Sequence, residues 1–461
     1  MTTTLRALVD EPERRVEVRA SELVELLLER IEATADVLNA YITVTADQAR
    51  EQAAATDERR RRGESLGPLD GFPIAVKDNI DVAGVPATCG SQFFADRIPG
   101  EDAEVVRRLR AAGAVVLGKV ALHEFAYGAT TDNPHFGACR NPWDTDRVPG
   151  GSSGGSGAAL GADLCLGALG TDTGGSVRIP AALNGVSALR PTYGLVSARG
   201  TFPVSAALDT VGPMARAIAD VAEMLAVMAG YDRDDPHAVE HPFDDPRATL
   251  GAGVAGLRVG LPRRFFFEDV DPAIAENTQA AADVLAGLGA EVVDVDLEGA
   301  EDATGIATLL IRAEATGLHR ERLAQQPDVF GADVRRRLEL GNAVTGPDVG
   351  RALEGMRAWR VRMLQVFDGV DVLLTPTTNA TAPLRADADM IAVTAELTRF
   401  TYAWSLAHLP AASIPSGLDA AGLPTGVQLA AAPWRDALVL RAAHAVQEAT
   451  DWHRRRPPAY G

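Results

Sequence analysis

Leu23, Val24, Leu27, Leu28 and Ile31 fall on one helical face behind Ser21, which predicts a helix capped at that serine. Residues 46–62 predict a second, solvated helix whose closing run Arg59-Arg60-Arg61-Arg62 reads as a charged face. The apolar run Ile74-Ala75-Val76 predicts a buried strand with Lys77 at its end. Residues 102–112 predict a helix, and 114–117 a strand ending at Lys119. Turn signals such as Asn141-Pro142-Trp143 dominate residues 120–147. Val177–Ala182 enters a short helix, Leu189–Gly194 is a strand-to-turn, and 213–229 predicts a helix. The acidic, Pro-rich residues 231–247 read as a linker or surface excursion.

From residue 257 the pattern alternates as strand (257–261), helix (272–288) and strand (291–297). Helices are expected at 305–324, 332–341 and 347–367, then a strand at 371–374. A helix at 394–407, strands near 411–415 and 426–430, and a helix at 436–449 follow. The alternation defines an α/β fold, a large mixed β-sheet covered by helices, in one domain over residues 1–461.

Composition narrows the function. The formal net charge of −19 argues against a nucleic-acid or anionic-membrane footprint. No window of eighteen apolar residues appears, and Met1–Asp10 lacks the pattern of a signal peptide, so the expectation is cytoplasmic. Cys89, Cys139 and Cys165 show neither metal nor disulfide spacing and read as buried free thiols. Lys77 and Lys119 are the only lysines among the 44 basic residues; all the others are arginine. Lysine can lose its proton when buried and act as a base, which arginine cannot. Lys77 therefore reads either as a base or as a strand-terminal partner of Asp78 or Asp81, and Lys119 as a charge partner or carbonyl donor.

Two Gly/Ser clusters bracket an Ala/Leu/Gly-rich segment: Pro149-Gly150-Gly151-Ser152-Ser153-Gly154-Gly155-Ser156 and Gly170-Thr171-Asp172-Thr173-Gly174-Gly175-Ser176. Glycine admits close substrate approach, and serine hydroxyls relay protons or attack carbonyls. No lysine follows either cluster, which removes a phosphate-binding P-loop. Gly151-Ser152-Ser153-Gly154-Gly155 matches the Gly-x-Ser-x-Gly elbow, but Arg147-Val148-Pro149 is no strand, and His319, His408 and His444 fall inside predicted helices. His123-Glu124 lacks a second histidine at i+4, so no zinc site is expected.

Together with Gly71-Phe72-Pro73-Ile74-Ala75-Val76-Lys77-Asp78, these clusters resemble the amidase signature family, and the resemblance continues through Leu208-Asp209-Thr210-Val211-Gly212-Pro213-Met214 to Gly422-Leu423-Pro424-Thr425-Gly426-Val427-Gln428. It spans about residues 21–457 and is densest between 70 and 215, the implied catalytic core, with covering and pocket elements at about 250–457. The resemblance implies the amidase-signature fold and a Ser-Ser-Lys triad. In it Ser176 is the nucleophile, Ser152 the relay serine held by a cis peptide, and Lys77 the base. Backbone N–H groups of Thr173, Gly174, Gly175 and Ser176 form the implied oxyanion hole. Ser153, Asp172 and Arg178 support the site, while Ala126, Tyr127 and Gly128 line the acyl pocket.

The implied reaction is hydrolysis of a carboxylic amide through an acyl-enzyme, releasing ammonia or an amine without metal or cofactor. Partners reduce to a small-molecule amide, with a homodimer left open. The alternative is the A subunit of a tRNA-dependent amidotransferase, which releases ammonia from glutamine in company with partner subunits. His123–Gly128 and Ala449–His453 resemble that subunit. Val334-Arg335-Arg336-Arg337-Leu338-Glu339-Leu340-Gly341 instead resembles stand-alone amidases, and residues 300–380 lack the Tyr-rich segment of the amidotransferase chain, so the stand-alone reading is preferred.

Overall fold

The computed structural model describes residues 8, 10, 12–385 and 389–460; the rest of Met1–Asp10 lies outside the described residues. Helix α1 (Ala20–Leu38), strand β1 (Tyr41–Val44) and helix α2 (Ala46–Arg61) come first. They lead into β2 (Pro73–Lys77), α3 (Glu104–Ala111) and β3 (Val115–Val120). The Gly/Ser region supplies α4 (Gly154–Gly161) and β4 (Gly167–Asp172), followed by α5 (Arg178–Asn184), β5 (Ser187–Arg190), β6 (Thr210–Ala215) and α6 (Ile218–Met228).

The second half comprises β7 (Arg258–Pro262), α7 (Pro272–Gly287), β8 (Glu291–Val295), α8 (Ala300–Gln325), α9 (Ala332–Gly341) and α10 (Gly346–Val366). Strand β9 (Val372–Pro376), α11 (Met390–Thr398), α12 (Tyr402–Leu406), β10 (Ala411–Leu418), β11 (Pro424–Ala430) and α13 (Asp436–Ala449) complete it.

Among the described residues, eleven strands join one mixed sheet in the order β1-β3-β2-β4-β6-β5-β10-β11-β9-β7-β8. Strand β2 runs parallel to β3 and β4, while β4 pairs antiparallel with β6. Every residue of β2, β3 and β4 is buried, which explains their near-continuous apolar character. One buried cluster gathers Leu27, Ile74, Val116, Leu169 and Leu440; another gathers Leu310, Trp359, Phe400 and Trp404.

Two local expectations change, and a third is narrowed to one of its alternatives. Residues 213–215 do not start a helix: Pro213, Met214 and Ala215 pair with Leu169, Ala168 and Gly167 as part of β6. The expected helix at 394–407 is broken between α11 and α12, where the side chains of Gln428 and Arg178 take the Phe400 and Thr401 carbonyls at 2.9 and 3.1 Å. His408 lies past the C-terminal end of α12 in a left-handed conformation, φ 63°. Residues 231–247 are a surface excursion rather than a linker, since β7 joins the same sheet as β6.

Helix α4 is buried along its whole length, so its small residues are a packing requirement. A Cβ on Gly155 would collide with the backbone of Ala121. Any side chain there would push the helix away from the strand ends that carry the site.

Candidate active site

Strand β2 delivers Lys77 to a fully buried position, where Nζ lies 2.7 Å from Ser152 Oγ and 2.6 Å from Thr171 Oγ1. Neither carboxylate expected as its structural partner takes it. Asp78 pairs with Lys119 at 3.1 Å, and Asp81 with Arg97 at 2.6 Å. The two lysines thus separate as their surroundings dictate, Lys119 held by a carboxylate and Lys77 by hydroxyls. Burial pulls the Lys77 amine down to about 7, against the opposing pull of Asp209 and Asp172.

The Gly151–Ser152 peptide is cis. The Ser152 carbonyl accepts from the His123 N–H at 3.1 Å, and the Thr131 hydroxyl donates to the Gly150 carbonyl at 2.8 Å. Ser153 ties the loop to β4: its Oγ accepts from the Thr171 N–H at 3.3 Å, and its N–H donates to the Ser176 carbonyl at 3.2 Å. The two Gly/Ser clusters are therefore bonded to one another.

Asp172, fully buried at the end of β4, organises the second cluster. It accepts from Arg178 and Arg190 at 3.0 Å, from the Gly175 N–H at 2.9 Å and from the Val177 N–H at 3.3 Å. Burial opposes its charge, but the two guanidiniums more than offset this and hold its carboxyl well below the usual range. The Gly175 N–H is thus engaged by Asp172 in this structure. The N–H groups of Thr173, Gly174 and Ser176 make no hydrogen bond among the described residues. Ser176 is partly exposed, and its hydroxyl makes no hydrogen bond among the described residues.

Several residues at the site have no role assigned by sequence pattern. Thr171 bonds Lys77. Asp209, lifted by burial to about 6, accepts from the Thr173 hydroxyl at 2.5 Å. The Thr401 hydroxyl donates to the Gly174 carbonyl, and Tyr402 packs so closely that a Cβ on Gly174 would collide with its ring. Thr171 and Asp209 belong to motifs that carry the family resemblance, whereas nothing in the chain's pattern marks residues 401–402.

Ala126, Tyr127 and Gly128 follow a backbone kink in which Phe125 and Ala126 take φ of 51° and 58°. Burial pushes the Tyr127 phenol up, and the Arg337 guanidinium lies 5.9 Å from its ring centroid. Arg337 comes from α9, so this helix closes over the predicted pocket segment. Of the covering and pocket elements expected at about 250–457, residues 386–388 lie outside the described residues.

A family model described as Amidase matches residues 22–440. The A subunit of the glutamyl-tRNA(Gln) amidotransferase of Chloroflexus aggregans is 41% identical over 466 residues, covering 96% of this chain and 95% of that protein. A solved structure described as an unexpected vestigial protein complex, revealing the evolutionary origins of an s-triazine catabolic enzyme, superposes with TM-score 0.90 and 36% identity. The match covers 94% of this chain and 96% of that one. The solved structure of the glutamyl-tRNA(Gln) amidotransferase A subunit from Thermotoga maritima superposes with TM-score 0.83 and 32% identity over 97% of this chain and 94% of that one. The chain belongs to the amidase signature family and is an enzyme of that superfamily.

Proposed function

We propose that the chain cleaves a carboxamide C–N bond by acyl transfer, as the ammonia-releasing A subunit of a tRNA-dependent amidotransferase acting on glutamine. The observation that carries the mechanism is a fully buried lysine 2.7 Å from a serine hydroxyl, its amine pulled down to about 7 by burial. Neutral Lys77 accepts the Ser152 proton, Ser152 accepts that of Ser176, and Ser176 Oγ attacks the amide carbon. The Thr173, Gly174 and Ser176 N–H groups receive the developing oxyanion. The proton returns along the same relay to the departing nitrogen, and ammonia leaves. Water then enters, loses a proton to the relay and releases the carboxylic acid, regenerating Ser176.

The amidotransferase reading replaces the stand-alone preference because identity to the amidotransferase A subunits extends over nearly the whole length of both proteins. The stand-alone amidase remains the second reading, favoured by the Val334–Gly341 segment. In either case the chain works as one catalytic unit on a small-molecule amide in the cytoplasm.

The test is ammonia release from L-glutamine and from a panel of simple amides, by the lone chain and with amidotransferase partner subunits added. Glutamine hydrolysis raised by the partners is the expected result. Turnover of simple amides by the lone chain, with none of glutamine, would move the assignment to the second reading. No turnover of any amide under either condition would overturn both.

A further inference from the structure

Residues 123 and 124 grip the start of α9 from below the relay loop. His123 is 1% exposed; its Nε2 lies 2.8 Å from Asp333 Oδ2 and its Nδ1 3.3 Å from the Thr130 hydroxyl. The His123 Nε2–H donates to the Asp333 carboxylate, and the Thr130 hydroxyl beside Nδ1 donates to Met390 Sδ at 3.1 Å. A Cβ on Gly128 would collide with the imidazole, so the ring fills the space a side chain at 128 would need. The adjacent Glu124 accepts from the Gly331 N–H, at the N-cap of α9, at 2.8 Å.

Asp333 stands one turn before Arg337, which lies 3.7 Å from it through Nε and 5.9 Å from the Tyr127 ring centroid. Arg337 is anchored on its far side to the Met390 carbonyl at 2.8 Å and the Thr394 hydroxyl at 2.9 Å. Meanwhile the His123 N–H holds the Ser152 carbonyl at 3.1 Å.

We infer that His123 and Asp333 are positioning residues: their contact fixes α9 over Tyr127 and so sets the affinity for the acyl part of the substrate, not the rate of bond cleavage. The inference rests on the reading of Tyr127 as a pocket wall. The relay loop keeps its bond to the His123 backbone whatever becomes of the side-chain contact, which is why binding and chemistry separate.

The experiment compares Asp333→Ala, Asp333→Asn, His123→Ala and the double alanine variant with the wild type, on acetamide and on the longest amide the wild type turns over. For the long amide, Asp333→Ala should raise KM about tenfold with kcat within about threefold, as expected for one lost charge-assisted hydrogen bond. Acetamide, whose acyl group ends in a single methyl, should keep its kcat/KM to within about twofold. Asp333→Asn keeps an oxygen for Nε2–H and should restore most of the affinity, and His123→Ala should add nothing to Asp333→Ala. Hydrogen exchange over residues 332–341 should quicken in Asp333→Ala. Equal losses on both amides, an additive double variant or unchanged exchange in α9 would each overturn the inference. A wild type inert toward every amide, both alone and with amidotransferase partner subunits added, would instead overturn the proposed function, leaving the exchange measurement to decide the clamp.

Discussion

Replacing Lys77 by methionine should abolish hydrolysis and, at neutral pH, stabilise the fold. The amine is lowered from 10.5 to about 7 in the folded protein. The unfolded chain therefore binds more protons between those values, and wild-type stability rises as pH climbs from about 7 toward 10.5. Below about 7 the whole difference stands against folding, roughly 5 kcal/mol at about 1.36 kcal/mol per pH unit. Methionine removes that opposition but leaves the Ser152 hydroxyl without its Lys77 partner, a loss of about 1–3 kcal/mol, while Thr171 Oγ1 still accepts from Asn79 Nδ2 at 3.5 Å. The net expectation is a gain of about 2–4 kcal/mol at pH 6, vanishing and reversing near pH 10. Urea denaturation of both proteins at pH 6, 8 and 10, beside an ammonia-release assay, measures it. A variant less stable than wild type at pH 6, or a difference that does not change with pH, would refute the claim that Lys77 is held neutral by burial.

The kcat/KM for amide hydrolysis should rise about tenfold between pH 6 and pH 8, following the neutral fraction of an amine titrating near 7; a flat profile contradicts Lys77 as base. Ser176→Ala should leave folding intact and lower turnover by at least about a thousandfold, with a near-wild-type rate as the refuting result. Asp172→Asn should destabilise the protein by about 3–5 kcal/mol in urea denaturation, because Arg178 and Arg190 lose the carboxylate that neutralises them in a fully buried setting.

Much of the scaffold was legible because its elements carry local signatures. The apolar run before Lys77 marked a buried strand, and helices α9 and α13 followed their periodicity. The placing of both Gly/Ser clusters at turns also came from residue type, since glycine and serine are what such turns and such chemistry need. Each local error had a distant cause. Pro213–Ala215 becomes strand because β4 offers an antiparallel partner, and Tyr41–Val44 becomes a strand only as the edge partner of β3. The break at residues 399–401 exists because Arg178 and Gln428 claim its carbonyls.

What the chain determined alone is therefore composition and local form: two lysines against a background of arginine, one of them at a buried strand end, and hydroxyls on glycine-lined turns. Its motifs also carried the family. Tertiary structure supplied the neighbours that separate the two lysines: Asp78 pairs with Lys119, while the buried Lys77 meets Ser152, 75 residues away, and Thr171, 94 residues away. It likewise decided that Asp172 bonds the Gly175 N–H, and that α9 comes to rest over Tyr127. A proton's affinity and a donor's availability are set by the groups within a few ångströms, and long-range packing chooses those groups.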